Sequence, residues 1–305
     1  KFIFIFLAAL GVGVGNALNA PAWSAMLPSL VRPVDLPGAL SLNSVVINGS
    51  RVVGPIIVAV LSQVGVTTAG FFFMNAATYL FVIFALLRVN IPSFTPDTTQ
   101  GWRRFTSGIS LARQISGVSR LLLTLASFSL FSLPYVGLFP AVAHVNFGIA
   151  EDGSTYKWLY ATWGLGAALG GLAIGTKFSH RDQRKLVQYG FVGFAASMVL
   201  FALSRSAAPA FIFGFILGFA YFFTTTAMSI VVQSRLKPEV RGRVMSLWFM
   251  SFGGTVPLGN MLFGPVVDQY GARWLLLFGA AWALFLAWWC NVTALDAKRS
   301  FSVSE

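Results

Sequence analysis

The ionisable side chains of this sequence are few and scattered, which limits the chemistry that they could perform. Its 305 residues include two His, one Cys and nine Asp or Glu. Hydrolytic and acyl-transfer sites need a nucleophile beside a base, or clustered carboxylates and imidazoles. A whole apolar segment, residues 155–176, separates His144 from His180, and the lone Cys290 excludes an internal disulfide or a thiolate metal cluster. The residues therefore indicate no enzyme, no cofactor and no metal site.

One charge, Arg51, lies deep inside an apolar segment, residues 40–64. At 1.5 Å per helical residue it is about 16 Å from the end of that segment. An unpaired charge at such a depth in a bilayer costs at least about 2.5 kcal/mol. Ser44 and Asn48 share its helical face, so the stripe indicates a protein interior or a water-filled cavity. Two roles stay open for Arg51: a structural ion pair, or work in transport.

Five further polar side chains inside apolar segments are candidates for contact with a small molecule. They are Asn16 and Asn19 on one face, Tyr135 beside the helix-bending Pro134, and Tyr221 and Thr225 one turn apart. With the abundant Phe and Trp they suggest an aromatic, mildly polar cavity for a bulky amphipathic molecule. Buried polar groups in membranes also bond to neighbouring helices, and aromatic residues also face lipid, so both interpretations stay open.

These residues are carried by long apolar segments. Hydrophobic residues make up 56% of the chain and charged residues 10%, and the mean hydropathy is +0.76, outside the range of soluble globular proteins. A helix needs about 20 residues to cross a bilayer. The segments that reach this length are 2–27, 40–64, 68–88, 121–146, 155–176, 186–204, 207–232, 244–267 and 273–293. We therefore predict an all-α integral membrane protein.

The basic residues indicate the orientation of these segments. Lys and Arg beside short loops are retained on the cytoplasmic side, and sixteen of the 21 fall in one set of alternate loops and the tail. The tail, residues 294–305, is then cytoplasmic, and we expect a multi-pass protein of the inner cell membrane, surrounded by lipid. This topology explains the net charge of +12, so we expect no nucleic-acid partner.

Two stretches of the chain resemble each other at an offset of 205 positions. They are RPVDLPGALSL, Arg32–Leu42, and KPEVRGRVMSL, Lys237–Leu247. No solenoid repeat is this long, so the offset indicates two parallel halves. Four segments precede the second copy within its half, and we therefore expect about three helices before residue 1. The chain would then be a fragment with the rest of one half at residues 1–88, a connector at 89–120 and a six-helix half at 121–293.

The end of the connector predicts a surface helix. From Trp102 to Ser119, Phe105 and Ile109 alternate with Arg residues, as in a helix lying on the inner membrane surface. An irregular solvated linker is the open alternative. Elsewhere, Gly pairs four residues apart predict closely packed membrane helices. These pairs are Gly11 with Gly15, Gly166 with Gly170, and Gly171 with Gly175.

An architecture of two six-helix halves joined by a basic loop resembles that of the major facilitator superfamily. Three stretches resemble the fourth, fifth and eleventh helices of its exporter branch, which includes macrolide efflux and enterobactin exporter-like proteins. They are GVGNALNAPAWSAMLPSLV, LSLNSVVINGSRVVGP, and RGRVMSL with GTVPLGNMLFGPVVDQYG. TKFSHRDQRK stands where the superfamily has its second cytoplasmic motif, with Arg181, Arg184 and Lys185 matching and His180 replacing an Asp.

The resemblance implies a secondary active transporter that exports small molecules by alternating access, as a monomer and as a proton antiporter. Proton coupling needs an ionisable group inside the membrane. The predicted segments contain no plainly buried carboxylate, so we expect the coupling group in the preceding helices. A membrane scaffold or sensor that keeps the fold without transport is the alternative.

The repeated stretches are expected to be equivalent cytoplasmic turns that move when the protein changes access. The second would form a charged latch, here called the cytoplasmic gate. It joins Glu239, Arg241 and Arg243 to Arg181, Arg184 and Lys185. Each such surface pair contributes only about 0–1 kcal/mol, which is enough to bias two states of similar energy.

Overall fold

The computed structural model describes residues 2–26, 30–32, 46, 49–50, 53–54, 56–88, 102–151, 153–178, 180–236 and 238–290. All regular structure in these residues is helical, so the all-α prediction is confirmed for them. The helices are α1 (Phe2–Met26), α2 (Thr68–Arg88), α3 (Trp102–Gln114), α4 (Val118–Phe131), α5 (Pro134–Gly137), α6 (Phe139–Phe147), α7 (Ser154–Gly175), α8 (Gln183–Leu203), α9 (Ala207–Ser234), α10 (Pro238–Phe249), α11 (Thr255–Tyr270) and α12 (Ala272–Trp289). Residues 56–63 are also helical, and Met250–Gly254 form a π-helical turn between α10 and α11.

Several helices are long and apolar enough to cross a membrane. Among the described residues these are α2, α8, α9 and α12, and the bent pair α3–α4 would give a fifth span. α7 has 22 residues but is not among these helices, because its Gly, Tyr and Trp residues lower its mean hydropathy. Segment 2–27 forms the single helix α1, of 25 residues. Segments 121–146 and 244–267 are broken into shorter helices, and segment 40–64 is described only in part.

The fourth predicted segment is not one straight helix, because Pro134 interrupts it. This residue is the first of α5, and it has no N–H to donate to the carbonyl of Leu130. Gly259 of α11 fills the break so closely that a Cβ there would overlap the Leu130 carbonyl and the Pro134 ring. On the other side, the Ser132 hydroxyl donates to the Gly279 carbonyl of α12 at 2.9 Å. Two neighbouring helices therefore close the break.

The eighth predicted segment is also interrupted, by the π-helical turn. π turns are rare and occur mostly at functional positions. Within the described part of the chain, no atom lies within 4 Å of the place where a Cβ of Gly253 or Gly254 would stand. The turn packs against α4, so it lies beside the Pro134 break.

The connector forms a helix, α3, rather than an irregular linker between residues 102 and 114. Its part from residue 108 is bent by 117° relative to α4, and Gly108 packs against the Arg243 carbonyl of α10. The bend is held by the Arg235 guanidinium, which donates to the Ser116 carbonyl at 2.7 Å. Gly117 supplies a φ of 75°, which other residues rarely adopt.

The packed core lies in the chain from residue 118 onward. α9 packs along α7 and α8, and α8 packs along α12. Its largest fully buried side chains are aromatic: Tyr135, Phe128, Phe139, Phe191, Phe194 and Phe201. α2, in contrast, buries none of its side chains against the described residues. The candidate site therefore has to be sought between the helices of this core.

Glycine brings α7 and α9 together. A Cβ at Gly166 or Gly170 would overlap the backbone carbonyls of α9, and one at Gly218 would overlap the Trp163 carbonyl of α7. The predicted close approach at Gly166 and Gly170 is confirmed. Gly175, Gly11 and Gly15 have nothing within 4 Å of a Cβ among the described residues, and close packing there stays a prediction.

Candidate functional site

Five aromatic rings form a continuous row through the core, here called the aromatic ladder. In order along the row they are Tyr156, Tyr160 and Trp163 of α7, Tyr221 of α9, and Phe252 of the π-helical turn. Successive ring centroids are 6.3, 5.3, 6.1 and 6.4 Å apart, and successive ring planes differ by 26, 27, 24 and 15°. Such aromatic pairs contribute about 0.5–1.5 kcal/mol each beyond their burial. The ladder therefore links three elements into one rigid wall.

The ladder follows from residue spacing and from the small residues at the helix crossing. Tyr156, Tyr160 and Trp163 are four and three positions apart, which places them on one face of α7. Tyr221 lies within one turn of Gly218, where the lack of a side chain lets α9 touch the α7 backbone. The two helices are close enough at this point for the rings of Trp163 and Tyr221 to stack.

Two residues predicted from the sequence, Tyr135 and Tyr221, meet at the ladder. The Trp163 indole N–H donates to the Tyr135 hydroxyl at 3.2 Å, and all three side chains are buried. The ring of Phe194 lies 6.3 Å from that of Tyr135 and 6.5 Å from that of Tyr221. Tyr135 is the second residue of the short helix that begins at the Pro134 break, and its hydroxyl reaches α7 at Trp163.

Thr225, a third predicted residue, is buried one turn beyond Tyr221. Its hydroxyl donates to the Tyr221 carbonyl at 3.1 Å, an arrangement common for Thr in membrane helices. Asn16 and Asn19 lie exposed on α1, which packs against α10. Asn48 and Arg51 lie outside the described residues, and their contact with substrate stays a prediction.

The residues of the cytoplasmic gate are only partly described. Arg181 and Lys185 are exposed, Arg243 is half-buried, and Glu239 and Arg241 belong to α10 without described side chains. The gate therefore stays a prediction.

Arg184, also assigned to the gate, binds Asp182, which starts α8 as its N-cap. Its Nε and Nη2 atoms donate to the two Asp182 oxygens at 2.9 and 3.0 Å, and its backbone N–H donates to Oδ1 at 3.0 Å. The side-chain bonds from Arg184 are the main reason that the pKa of Asp182 lies below its ordinary value. Sequence reasoning missed this pair, although Asp directly before a helix is a typical N-cap signal.

A cavity of about 290 Å³ opens at the Tyr156 end of the ladder. Val58, from the helical residues 56–63, and Tyr156, Lys157 and Tyr160 of α7 line it. Sequence reasoning named none of them as site residues, because it looked for isolated polar groups in apolar segments rather than for aromatic spacing. Among the described residues, no three His, Cys, Asp or Glu side chains come close enough to hold a metal ion.

Comparison with known proteins decides the family. The sequence profile of the transmembrane secretion effector family, within the major facilitator superfamily, matches residues 2–302. The chain belongs to this family. Members of the superfamily are membrane transporters rather than enzymes, and the resemblance inferred from the sequence is confirmed.

Two relatives are similar to this family member over most of its length. Macrolide efflux protein A of Streptococcus pyogenes is 25% identical over 277 residues, which is 87% of this chain and 67% of that protein. Macrolide efflux protein A of Enterococcus faecalis is 25% identical over 256 residues, or 81% of this chain and 77% of that protein. The similarity covers the helices that carry the aromatic ladder.

Proposed function

We propose that this protein is a secondary active transporter that exports small amphipathic molecules across the inner membrane by alternating access. Family membership supports transport. The relatives named for macrolide efflux support export and make a macrolide, which is itself bulky and amphipathic, the first substrate to test. The observation that carries the substrate class is the aromatic ladder, a row of stacked rings in which Tyr156, Tyr160 and Phe252 are partly exposed.

The ladder suits a bulky amphipathic molecule for two physical reasons. Apolar surface removed from water stabilises binding by about 25 cal/mol per Å², and the exposed parts of the Tyr156, Tyr160 and Phe252 rings would supply that surface. The rings are also held by their own stacking and by the bond between Trp163 and Tyr135, so little conformational entropy is lost when the substrate binds. Polar groups at the cavity end would orient the substrate.

The remaining features of the transporter are proposed with it. The two parallel halves would be residues 1–88 and 121–293, with the connector 89–120 between them and a cytoplasmic tail at 294–305. Rocking of one half against the other would alternate the access of a central site. Proton antiport is the proposed driving reaction, and the cytoplasmic gate would bias the two states.

Uptake into inverted membrane vesicles tests the proposal, because export from a cell becomes uptake there. Vesicles containing the full-length protein should accumulate a labelled macrolide when energised, and a protonophore should abolish the accumulation. Tyr221→Leu removes the ladder ring that links α7 to the π-helical turn and should lower uptake about two- to tenfold, from the loss of about 0.5–1.5 kcal/mol of ring interaction. The matched control Tyr189→Leu replaces a Tyr of α8 that is 67% exposed and should leave uptake unchanged.

Absence of energised uptake by folded protein, across several amphipathic substrates, would reject transport and favour the scaffold or sensor alternative. Equal loss in Tyr221→Leu and Tyr189→Leu would reject the ladder as the substrate wall while leaving transport itself intact.

A further inference from the structure

The cavity at the Tyr156 end of the ladder has the size and lining of a small-ligand site. Its volume of about 290 Å³ is close to the lower end of the range for such sites, about 300–1,000 Å³. The lining surface is almost wholly apolar, so Tyr156 and Tyr160 contribute mainly ring atoms and Lys157 mainly the methylene groups of its side chain. A ligand here would be held between α7 and the helical residues 56–63 that contribute Val58.

Lys157 gives this cavity a charge preference. Its side chain is half-buried, and among the residues that the structure describes it forms no ion pair. Glu151, three residues before the first turn of α7, is exposed and does not line the cavity. An ammonium group beside an apolar cavity attracts an anion more strongly than it would in water, because the local dielectric constant is lower.

The two tyrosines give the cavity a preference for a planar ring. The ring of Tyr160 is fixed from behind by Trp163, with centroids 5.3 Å apart, and the Tyr156 ring lies within 26° of parallel to it. Tyr156 stands at one end of the row, and its side chain is half-buried. A planar ring in the cavity can therefore continue the stack without reorganising the protein.

We propose that this cavity binds an anionic aromatic amphiphile, whose oxyanion contacts Lys157 and whose ring packs on Tyr156 and Tyr160. The proposal rests on the proposed function and adds to it a ligand preference of this one cavity, where a ring with an acidic group would bind better than a ring with a neutral or cationic group. A carboxylate is the simplest such oxyanion, and its bond to an ammonium group is charge-assisted.

Equilibrium dialysis with three probes of one ring tests the proposal on the purified full-length protein. Naphthoate, naphthalenemethanol and naphthylmethylammonium carry the same ring with a negative, neutral and positive group. We expect naphthoate to bind most tightly. Lys157→Met should weaken naphthoate binding about tenfold, the effect of about 1.4 kcal/mol, and leave the alcohol unchanged. Lys157→Arg should restore naphthoate binding.

Two further variants separate charge from ring contact. Lys177→Met removes a Lys that is exposed beyond the other end of α7 and should not change naphthoate binding. Tyr160→Leu should weaken all three probes alike, because it removes the shared ring contact. Thermal unfolding of each variant checks that the protein remains folded.

Three results would overturn the proposal: equal affinity for the three probes, unchanged naphthoate binding in Lys157→Met, or preference for the ammonium probe. Dialysis requires no transport, so the outcome is independent of the proposed function. Probe binding without energised uptake in vesicles would reject transport alone, and macrolide uptake without naphthoate preference would reject this inference alone.

Discussion

Gly117 combines a backbone requirement with a side-chain contact. Its φ of 75° is in the left-handed region, which costs other residues about 1–2 kcal/mol. A Cβ would also overlap the guanidinium of Arg235, which binds the Ser116 carbonyl. Gly148 has a similar φ of 66° but open space around it, so the two glycines form a matched pair.

We expect Gly148→Ala to lower the free energy of unfolding by about 1–2 kcal/mol. Gly117→Ala should lower it further, by about 1 kcal/mol for the lost bond from Arg235. Denaturant unfolding of both variants in detergent measures the difference. Equal losses would show that Arg235 can move aside without cost, and that it does not hold the bend between α3 and α4.

The bond between Trp163 and Tyr135 allows a double-mutant cycle. Trp163→Phe and Tyr135→Phe each remove one partner and keep an aromatic ring. Because the bond is buried, the variants should show a coupling of about 0.5–1.5 kcal/mol in the free energy of unfolding. A coupling near zero would mean that the 3.2 Å contact contributes nothing and that Tyr135 is held by packing alone.

The sequence predicted part of this site at the residue scale. Tyr135 and Tyr221 stand out as polar groups in apolar segments, and the structure brings them together. Trp163 and Tyr160 were missed, because in a chain with 15% aromatic residues an aromatic side chain is as often lipid-facing as site-forming. The sequence signal for the ladder is the spacing of Tyr156, Tyr160 and Trp163 along one helical face. Contacts between helices are needed to interpret that spacing as a site.

At the scale of elements, the crossing of α7 and α9 predicts that Ala substitutions at two glycines of α7 have different effects on the stability of the protein. Gly166→Ala places a methyl group against the Phe215 carbonyl and should destabilise the protein by about 1–3 kcal/mol. At Gly175 no atom of the described residues lies within 4 Å of an added Cβ, so Gly175→Ala should be neutral or stabilise the protein by up to about 1 kcal/mol, from helix propensity. Thermal unfolding distinguishes them, and destabilisation by both would contradict the packing described.

The start of α8 should respond to pH through Asp182. Its pKa is lowered in the folded protein, so the pair with Arg184 stabilises the fold above the ordinary carboxyl pKa. That stabilisation is lost as the pH falls through the lowered pKa of the folded state. Asp182→Asn still caps the helix but cannot form the ion pair, so native protein and variant should differ in stability at neutral pH and converge in acid.

The stability difference for Asp182→Asn should be small, because both side chains are about one third exposed, 39% for Arg184 and 31% for Asp182. Added salt should reduce it further. Unfolding followed from neutral to acid pH measures it, with Asp268→Asn on the exposed surface of α11 as control. A difference that persists at acid pH would show that charge is not its cause.

The sequence predicted the helices better than their interruptions. Hydropathy finds a helix by its apolar length, and Pro134 indicates a bend, but whether the helix continues depends on what replaces the lost bond at Leu130. Gly259 of a distant segment packs against the Leu130 carbonyl at this position, and that neighbour cannot be found from the local sequence. The π-helical turn leaves even less of a signal, since Gly253 and Gly254 are equally compatible with an ordinary helix that packs closely.

At the scale of the whole molecule, the proposed topology predicts that α7 crosses the membrane between His144 and Lys177. Both side chains are exposed, and Cys290, the one cysteine of this sequence, is fully buried. Cys290→Ala therefore removes the one thiol of this sequence from the background. In that background, a membrane-impermeant maleimide should label His144→Cys only in intact cells and Lys177→Cys only in inverted vesicles. Labelling of both positions from one side would contradict the topology.

Family membership confirms the superfamily that the resemblance implied, whereas the two six-helix halves and the repeat itself stay predictions. Its second copy forms α10, but most of its first copy, between Arg32 and Leu42, lies outside the described residues. The sequence could not predict which helices would surround a substrate. The offset of 205 positions relates residues of the two predicted halves, but it does not fix the distance between those halves in space.

The central claim is that the aromatic ladder holds the exported molecule, and photo-crosslinking tests it most directly. A photoreactive macrolide is irradiated with the full-length protein in membranes, with and without excess unlabelled macrolide, and the labelled peptides are found by mass spectrometry. The account predicts saturable labelling of the α7 segment around Tyr160 and of the segments around Tyr221 and Phe252. Saturable labelling confined to the exposed surfaces of α2 or α12, with none at the ladder, would contradict it.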